Sequence, residues 1–151
     1  MTLFKQIQII LNKYNFKDDL VEYHFKNKEE LYGHYQKHVI SDEDGPLKMS
    51  YLEPEDYDEL AHILSMSKAG NINERDKYDV IGYTTNSGRF VKFNPKSGLC
   101  VIYADDSFGA NVISLYRTTV ARFFSKVNGS NPNFSFKSHL PEEQKNPINI
   151  F

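Results

Sequence analysis

The chain has 151 residues with a formal charge of −2, 40% hydrophobic content and 14% aromatic content. That suits one compact domain with a short appended segment and excludes global disorder, while the net charge alone points to neither nucleic acid nor metal. A single cysteine, Cys100, excludes an intrachain disulfide and a cysteine-based zinc cage.

In chain order, Leu3, Ile7, Ile10, Leu11 and Tyr14 recur at helical spacing and predict an amphipathic helix before NFKDD. The opening MTLFKQIQIILNKYNF carries no signal-peptide cleavage pattern, which suits a cytosolic protein or one exported without a sequence mark. No stretch approaches the ~20 apolar residues of a membrane span, so no membrane partner is expected.

A second helix is expected from Asn27, a good N-cap with Glu30 three residues on, to about Ile40, where SDEDGP supplies breakers. It carries HYQKH, in which His34 and His38 are i,i+4 neighbours with Lys37 between them. EPEDYDELAHILSMS predicts a third helix with Pro54 in its first turn and Tyr57, Leu60, Ala61 and Leu64 on its apolar face.

From Tyr78 the period changes. YDVIGYT, RFVKF, LCVIY and NVISLY are rich in β-branched and aromatic residues and read as an antiparallel meander. Gly88 and Gly98 sit at the ends of short connections, where a left-handed backbone is usual. Cys100 lies inside one of these strands as a small buried hydrophobe. RTTVARFFSKV predicts a closing helix, and the polar residues after Val127 a loosely held tail. Helices followed by strands define an α+β fold, with N-terminal helices packed on a four- to five-stranded antiparallel sheet.

Charge is unevenly spread. Between Ser41 and Leu60 eight acids face only Lys48, whereas between Thr84 and Lys126 six basic residues outnumber Asp105 and Asp106. Such a local excess can form a basic surface on an acidic protein, or be ordinary solvated charge.

The HYQKH pair admits a solvated helix face, a metal site or proton transfer. The helical metalloprotease pattern places Glu directly after the first histidine, where this chain has Tyr35. There is no glycine-rich phosphate loop and no GxSxG elbow. Acid–base chemistry without a metal or cofactor remains: two histidines exchange protons near neutrality, and Lys37 neutralises a phosphate. RNA suits that equipment because its 2′-hydroxyl is a built-in nucleophile.

The order of motifs supplies a context. An H-x-x-K-H helix is followed by YDELAHIL, then GRFVKFNPKSGLCVIY, a turn, and VISLYR. This order resembles toxin nuclease domains of the barnase–EndoU–colicin–RelE (BECR) superfamily, among them C-terminal toxin domains of contact-dependent growth inhibition and phage-associated proteins. The resemblance covers Leu31 to Arg117. It divides the chain into an N-terminal helical segment (1–30), a ribonuclease-like domain (31–127) and a polar tail (128–151).

The resemblance implies a metal-independent endoribonuclease toxin that cleaves tRNA or other RNA in the bacterial cytoplasm after secretion or delivery. It also implies a cognate immunity or antitoxin protein. Carried over by position, His34, Lys37, His38, Ser114 and Tyr116 become catalytic, and Lys92 and Arg117 substrate-binding. Strand alternation puts Val112, Ser114 and Tyr116 on one face and leaves Arg117 on the other unless a bulge re-aims it. Lys92, between Val91 and Phe93, is expected on the open face. His24 and His139 read as surface residues, and His62 as a helix-face residue of the third helix. Two departures stand out: the acidic KHVISDEDGP replaces the family's glycine-containing turn, and Ser114 stands where the family has threonine. The competing readings are a non-catalytic binding or immunity-type module of the same fold, and a metal-dependent hydrolase using His34 and His38.

Overall fold

The computed structural model describes residues 24–70, 79–85, 87–106 and 109–130. The helix expected before Asn15 and most of the tail expected after Val127 lie outside them; the first three residues of that tail, 128–130, instead continue the last helix. The elements are strand β1 (His24–Phe25), helix α1 (Lys28–Tyr35) continuing as a π-helical turn (Gln36–Ile40), a 3-10 turn (Gly45–Leu47) and helix α2 (Pro54–Met66). Strands β2 (Ile81–Thr84), β3 (Phe90–Phe93), β4 (Leu99–Asp106) and β5 (Gly109–Arg117) follow, then helix α3 (Val120–Ser130).

The helix starts follow from side-chain chemistry. Asn27 Oδ1 accepts a 2.9 Å hydrogen bond from the Glu30 amide, satisfying one of the free N–H groups of the first turn of α1. At α2 the Asp56 carboxylate accepts from the Glu53 amide at 3.1 Å, and Pro54 occupies a position that needs no donor. The far end of α1 loosens into a π-type turn, closed by the Ser41 amide donating to the Gln36 carbonyl at 2.8 Å. Such turns are uncommon and concentrate at functional sites.

The five strands form one sheet in the order β1-β5-β4-β3-β2. β2 through β5 are antiparallel, as the meander pattern predicts, with Gly88 and Gly98 at φ of 85° and 75° in their connections. The sheet as a whole is mixed, because β1 pairs in parallel with β5 at His24↔Asn111 and Phe25↔Val112. A two-residue strand has no period to read, so only an antiparallel sheet was legible. The sheet thus takes in residues before Leu31, with His24 Nδ1 2.8 Å from the Asp58 carboxylate on α2 and its ring stacked on His62 at 5.0 Å.

Both faces of the sheet are covered. On one, Tyr57, Leu60, Ala61 and Leu64 of α2 bury against Leu99, Val101, Tyr103, Val112 and Leu115, joined by Val39, Met49 and Leu52. Each fully buried large aliphatic there contributes roughly 1.5–3 kcal/mol. The Tyr57 hydroxyl donates to the Leu115 carbonyl, so the buried phenol is satisfied. On the other face Val120, Phe123 and Phe124 of α3 pack on Ile81, Val91, Phe93 and Cys100, with the Phe93 and Phe123 rings stacked at 4.3 Å. No helix among the described residues is long and apolar enough to cross a membrane.

A bulge sets which side chains share a face. Ile102 pairs with Ser114 and Tyr103 with Val112, so β5 carries one extra residue, Ile113, at that point. Val112 therefore joins Leu115 in the α2 core, while Ser114 and Tyr116 lie on the α3 face. The expected common face for Val112, Ser114 and Tyr116 is corrected to this extent. Strict alternation fails across a bulge.

Candidate active site

β1 covers only Asn111 and Val112, and both α1 and its π-turn contact β5. That places HYQKH beside the strand segment that carries Ser114 and Tyr116. Three rings form a row. His34 and His38 stack with centroids 6.0 Å apart at 16°, and His38 is 6.0 Å from the Tyr116 ring. The Phe25 ring, 5.5 Å from His34, backs the first of them.

Each histidine has a different partner. His34 Nδ1 lies 3.4 Å from Ser114 Oγ, a long hydrogen bond, and its Nε2 is 3.9 Å from the Glu30 carboxylate. Burial lowers the His34 pKa from its ordinary 6.5; the positive fields of His38 and Lys37 act in the same direction, and Glu30 opposes them. At neutral pH His34 is therefore mainly the free base.

His38 is buried, and its Nδ1 lies 2.7 Å from Asp44 Oδ2. A carboxylate only accepts, so Nδ1 carries the hydrogen and Nε2 is left for chemistry. Asp44 belongs to SDEDGP, which reads as a mere breaker or as a departure from the family pattern. In the fold it is the group that orients His38. The signal that could have found it was an acid six residues after a histidine, across a turn that doubles back.

Tyr116 sits where the α3 face meets the ring row. Burial, reinforced by the neighbouring Cys100 and Tyr83, raises its pKa well above the usual phenol value, so it keeps its proton. Lys126 of α3 holds its ammonium 4.7 Å from the Tyr116 ring centroid and 3.3 Å from the hydroxyl, a cation–π contact plus a hydrogen bond donated by the amine. Sequence reasoning missed Lys126, because nothing local to RTTVARFFSKV ties it to β5. Cys100, fully buried, has its thiol pushed up to about 12 by burial and offers no nucleophile.

The remaining expected residues divide. Lys37 is exposed on the π-turn, close enough for its charge to bear on His34. Lys92 is not on the open face. It is buried, and its Nζ donates to the Ser65 and Ser67 carbonyls at 2.5 and 2.7 Å, at the C-terminal end of α2. That end presents unpaired carbonyls and a partial negative charge, which a buried ammonium satisfies. Arg117 also lies on the face opposite Ser114 and Tyr116, buried, with Nε donating to the Ser97 carbonyl at 3.0 Å. The bulge at Ile113 precedes Ser114 and so cannot re-aim it. Lys92 is thus tied to the end of α2, away from the ring row, whereas Arg117, though buried, lines the cleft beside Tyr116.

Two clefts flank the row. One of about 450 Å³ is lined by His34 together with Lys26, Arg89 and Asn111. The other, about 660 Å³, is lined by Tyr116 together with Asp44, Arg122 and Lys126. Among the described residues no group of three or more His, Cys, Asp and Glu side chains is placed to hold a metal ion. No protein-family model, curated protein or solved structure matches the chain.

Proposed function

We propose that the chain is a metal-independent endoribonuclease, a toxin of the kind restrained by a cognate immunity or antitoxin protein, acting on tRNA or other RNA in a bacterial cytoplasm. The observation that carries the reading is the pair of stacked imidazoles with separate polar partners, Ser114 for His34 and Asp44 for His38, beside a protonated Tyr116. The order of the sequence motifs, which resembles that of BECR toxin domains, supports the same reading.

In this reading His34, mainly neutral, removes the proton of a 2′-hydroxyl. The 2′-oxygen attacks the adjacent phosphorus, the bond from phosphorus to the 5′-oxygen breaks, and His38 Nε2 gives its proton to that oxygen. The products are a 2′,3′-cyclic phosphate and a 5′-hydroxyl. Ser114 holds the His34 ring, and Asp44 holds the His38 ring through Nδ1. Tyr116 donates a hydrogen bond to the phosphoryl oxygens, with the Lys126 ammonium beside it. Lys37 tunes His34.

The test is incubation of purified protein with total RNA in excess EDTA, followed by end mapping. Cleavage leaving 2′,3′-cyclic phosphates is expected. Intact RNA would make the chain a non-catalytic module, and cleavage that stops on chelation and returns with added zinc would make it a metal-dependent hydrolase.

A further inference from the structure

The ring row ends in two different clefts, and the cations in them come from elements remote in sequence. Lys26 stands between β1 and α1, and Arg89 follows the β2–β3 turn; both are exposed and line the His34 cleft. The Arg89 backbone is fixed, its amide donating to Thr85 Oγ1 at 3.1 Å and its carbonyl accepting from the Thr85 amide at 2.8 Å. Gly88, at φ 85°, makes that tight turn possible. Arg122 and Lys126, on one side of α3 and also exposed, line the Tyr116 cleft. The acids in the two clefts include Glu30, beside His34, Asp44, bonded to His38, and the exposed Glu43.

The geometry points to a single-stranded RNA that runs across the ring row with a nucleotide in each cleft, its phosphates paired with Lys26 and Arg89 on one side of the cut and with Arg122 and Lys126 on the other. Each cleft falls in the roughly 300–1,000 Å³ range of pockets that hold small ligands. A mononucleotide would need only one of them. Cations at both ends of a row of aromatic rings match the features that hold single strands, namely ionic contacts to the backbone with planar groups between. The strand's identity rests on the ribonuclease reading; the two-sided path rests on the clefts. It makes the enzyme an internal cutter that prefers unpaired segments, such as loops, to strand ends.

The experiment measures binding without cleavage. A fluorescent 12-mer of 2′-O-methyl RNA, whose nucleophile is capped, is titrated with protein by anisotropy at several salt concentrations. Arg89→Ala and Arg122→Ala should each reduce the slope of log affinity against log salt by about 0.7, the value of one single-strand phosphate contact, and the double variant by about 1.4. Arg89→Lys should keep the parent slope, and Lys68→Ala, exposed and outside both clefts, should leave it unchanged. A 2-mer should bind at least tenfold more weakly than the 12-mer. Slopes equal to the parent for both alanine variants, or equal affinity for 2-mer and 12-mer, would overturn the path. Binding with the expected slopes but no cleavage of unmodified RNA would keep the path and remove the ribonuclease reading. Cleavage with slopes insensitive to both variants would do the reverse.

Discussion

Asp44 Oδ2 sits 2.7 Å from His38 Nδ1, linking the acidic turn after the π-helical segment to the histidine that the segment buries. A hydrogen bond to a charged group contributes roughly 1.5–3 kcal/mol, and here both partners are largely shielded from solvent. Asp44→Asn keeps the size of the side chain and removes its charge. It should slow single-turnover RNA cleavage by roughly ten- to a hundredfold. An unchanged rate in a folded Asp44→Asn protein would remove Asp44 from the mechanism.

Replacing either histidine distinguishes proton transfer from packing. His34→Ala should lower the cleavage rate by roughly 10²–10⁴-fold with little change in the melting temperature, since the side chain is only partly buried. His38→Ala should lose rate similarly and also melt earlier, because it removes a buried ring and leaves Asp44 without its partner. Ser114→Ala should cost less than either, as it removes a long hydrogen bond and no proton carrier. Rates within threefold of the parent for both histidine variants would end the catalytic reading.

The His34 titration has a definite sign. Its folded pKa lies below 6.5, so between that value and the ordinary one the unfolded chain binds more protons than the folded one. The stability this contributes is present above pH 6.5 and lost as pH falls through the folded pKa. The acidic limb of kcat/KM should share that midpoint, below 6.5. Lys37→Gln should move it up and Glu30→Gln down, because Lys37 lowers the pKa and Glu30 raises it. Imidazole proton shifts followed by NMR check both directions, and a midpoint above 6.5 in the parent would contradict the burial of His34.

Lys92 should matter for folding rather than for RNA. Lys92→Met keeps most of the aliphatic stem and loses the two contacts to the Ser65 and Ser67 carbonyls. It should destabilise the protein by about 1.5–3 kcal/mol in urea melts. The salt dependence of RNA binding should not change. A reduced salt slope at parental stability would return Lys92 to the substrate.

The elements with a sustained period were legible in the sequence: α1 with its Asn27 cap, α2 with its four inward residues, and the strands of the meander with glycines at their turns. β1 was not, because two residues carry no pattern and only tertiary pairing defines them. The bulge at Ile113 was not either, so the strand rule assigned Val112 to the wrong face. His34, His38, Ser114 and Tyr116 come together because the strand carrying two of them lies beside the helix carrying the others. Lys92 does not, since alternation along a strand tells which residues share a face but not which face is covered by helix α2; Arg117, on the face opposite Tyr116, still reaches the cleft that Tyr116 lines. Asp44 and Lys126 enter through a turn and a helix whose local sequences read as punctuation and core.

Moving a strand by one residue ordinarily turns its inward side chains outward. β5 is different at one point. Val112 and Ser114 already face opposite sides although they are two residues apart, because Ile113 is the residue the ladder does not count. A chain with Ile113 deleted would pair Val112 with Tyr103 and Ser114 with Ile102 as before, now as an unbroken ladder. Ile113 also lines the cleft beside His34. Here the shape of the cleft can change by a whole residue while the inside and the outside of the sheet stay where they are.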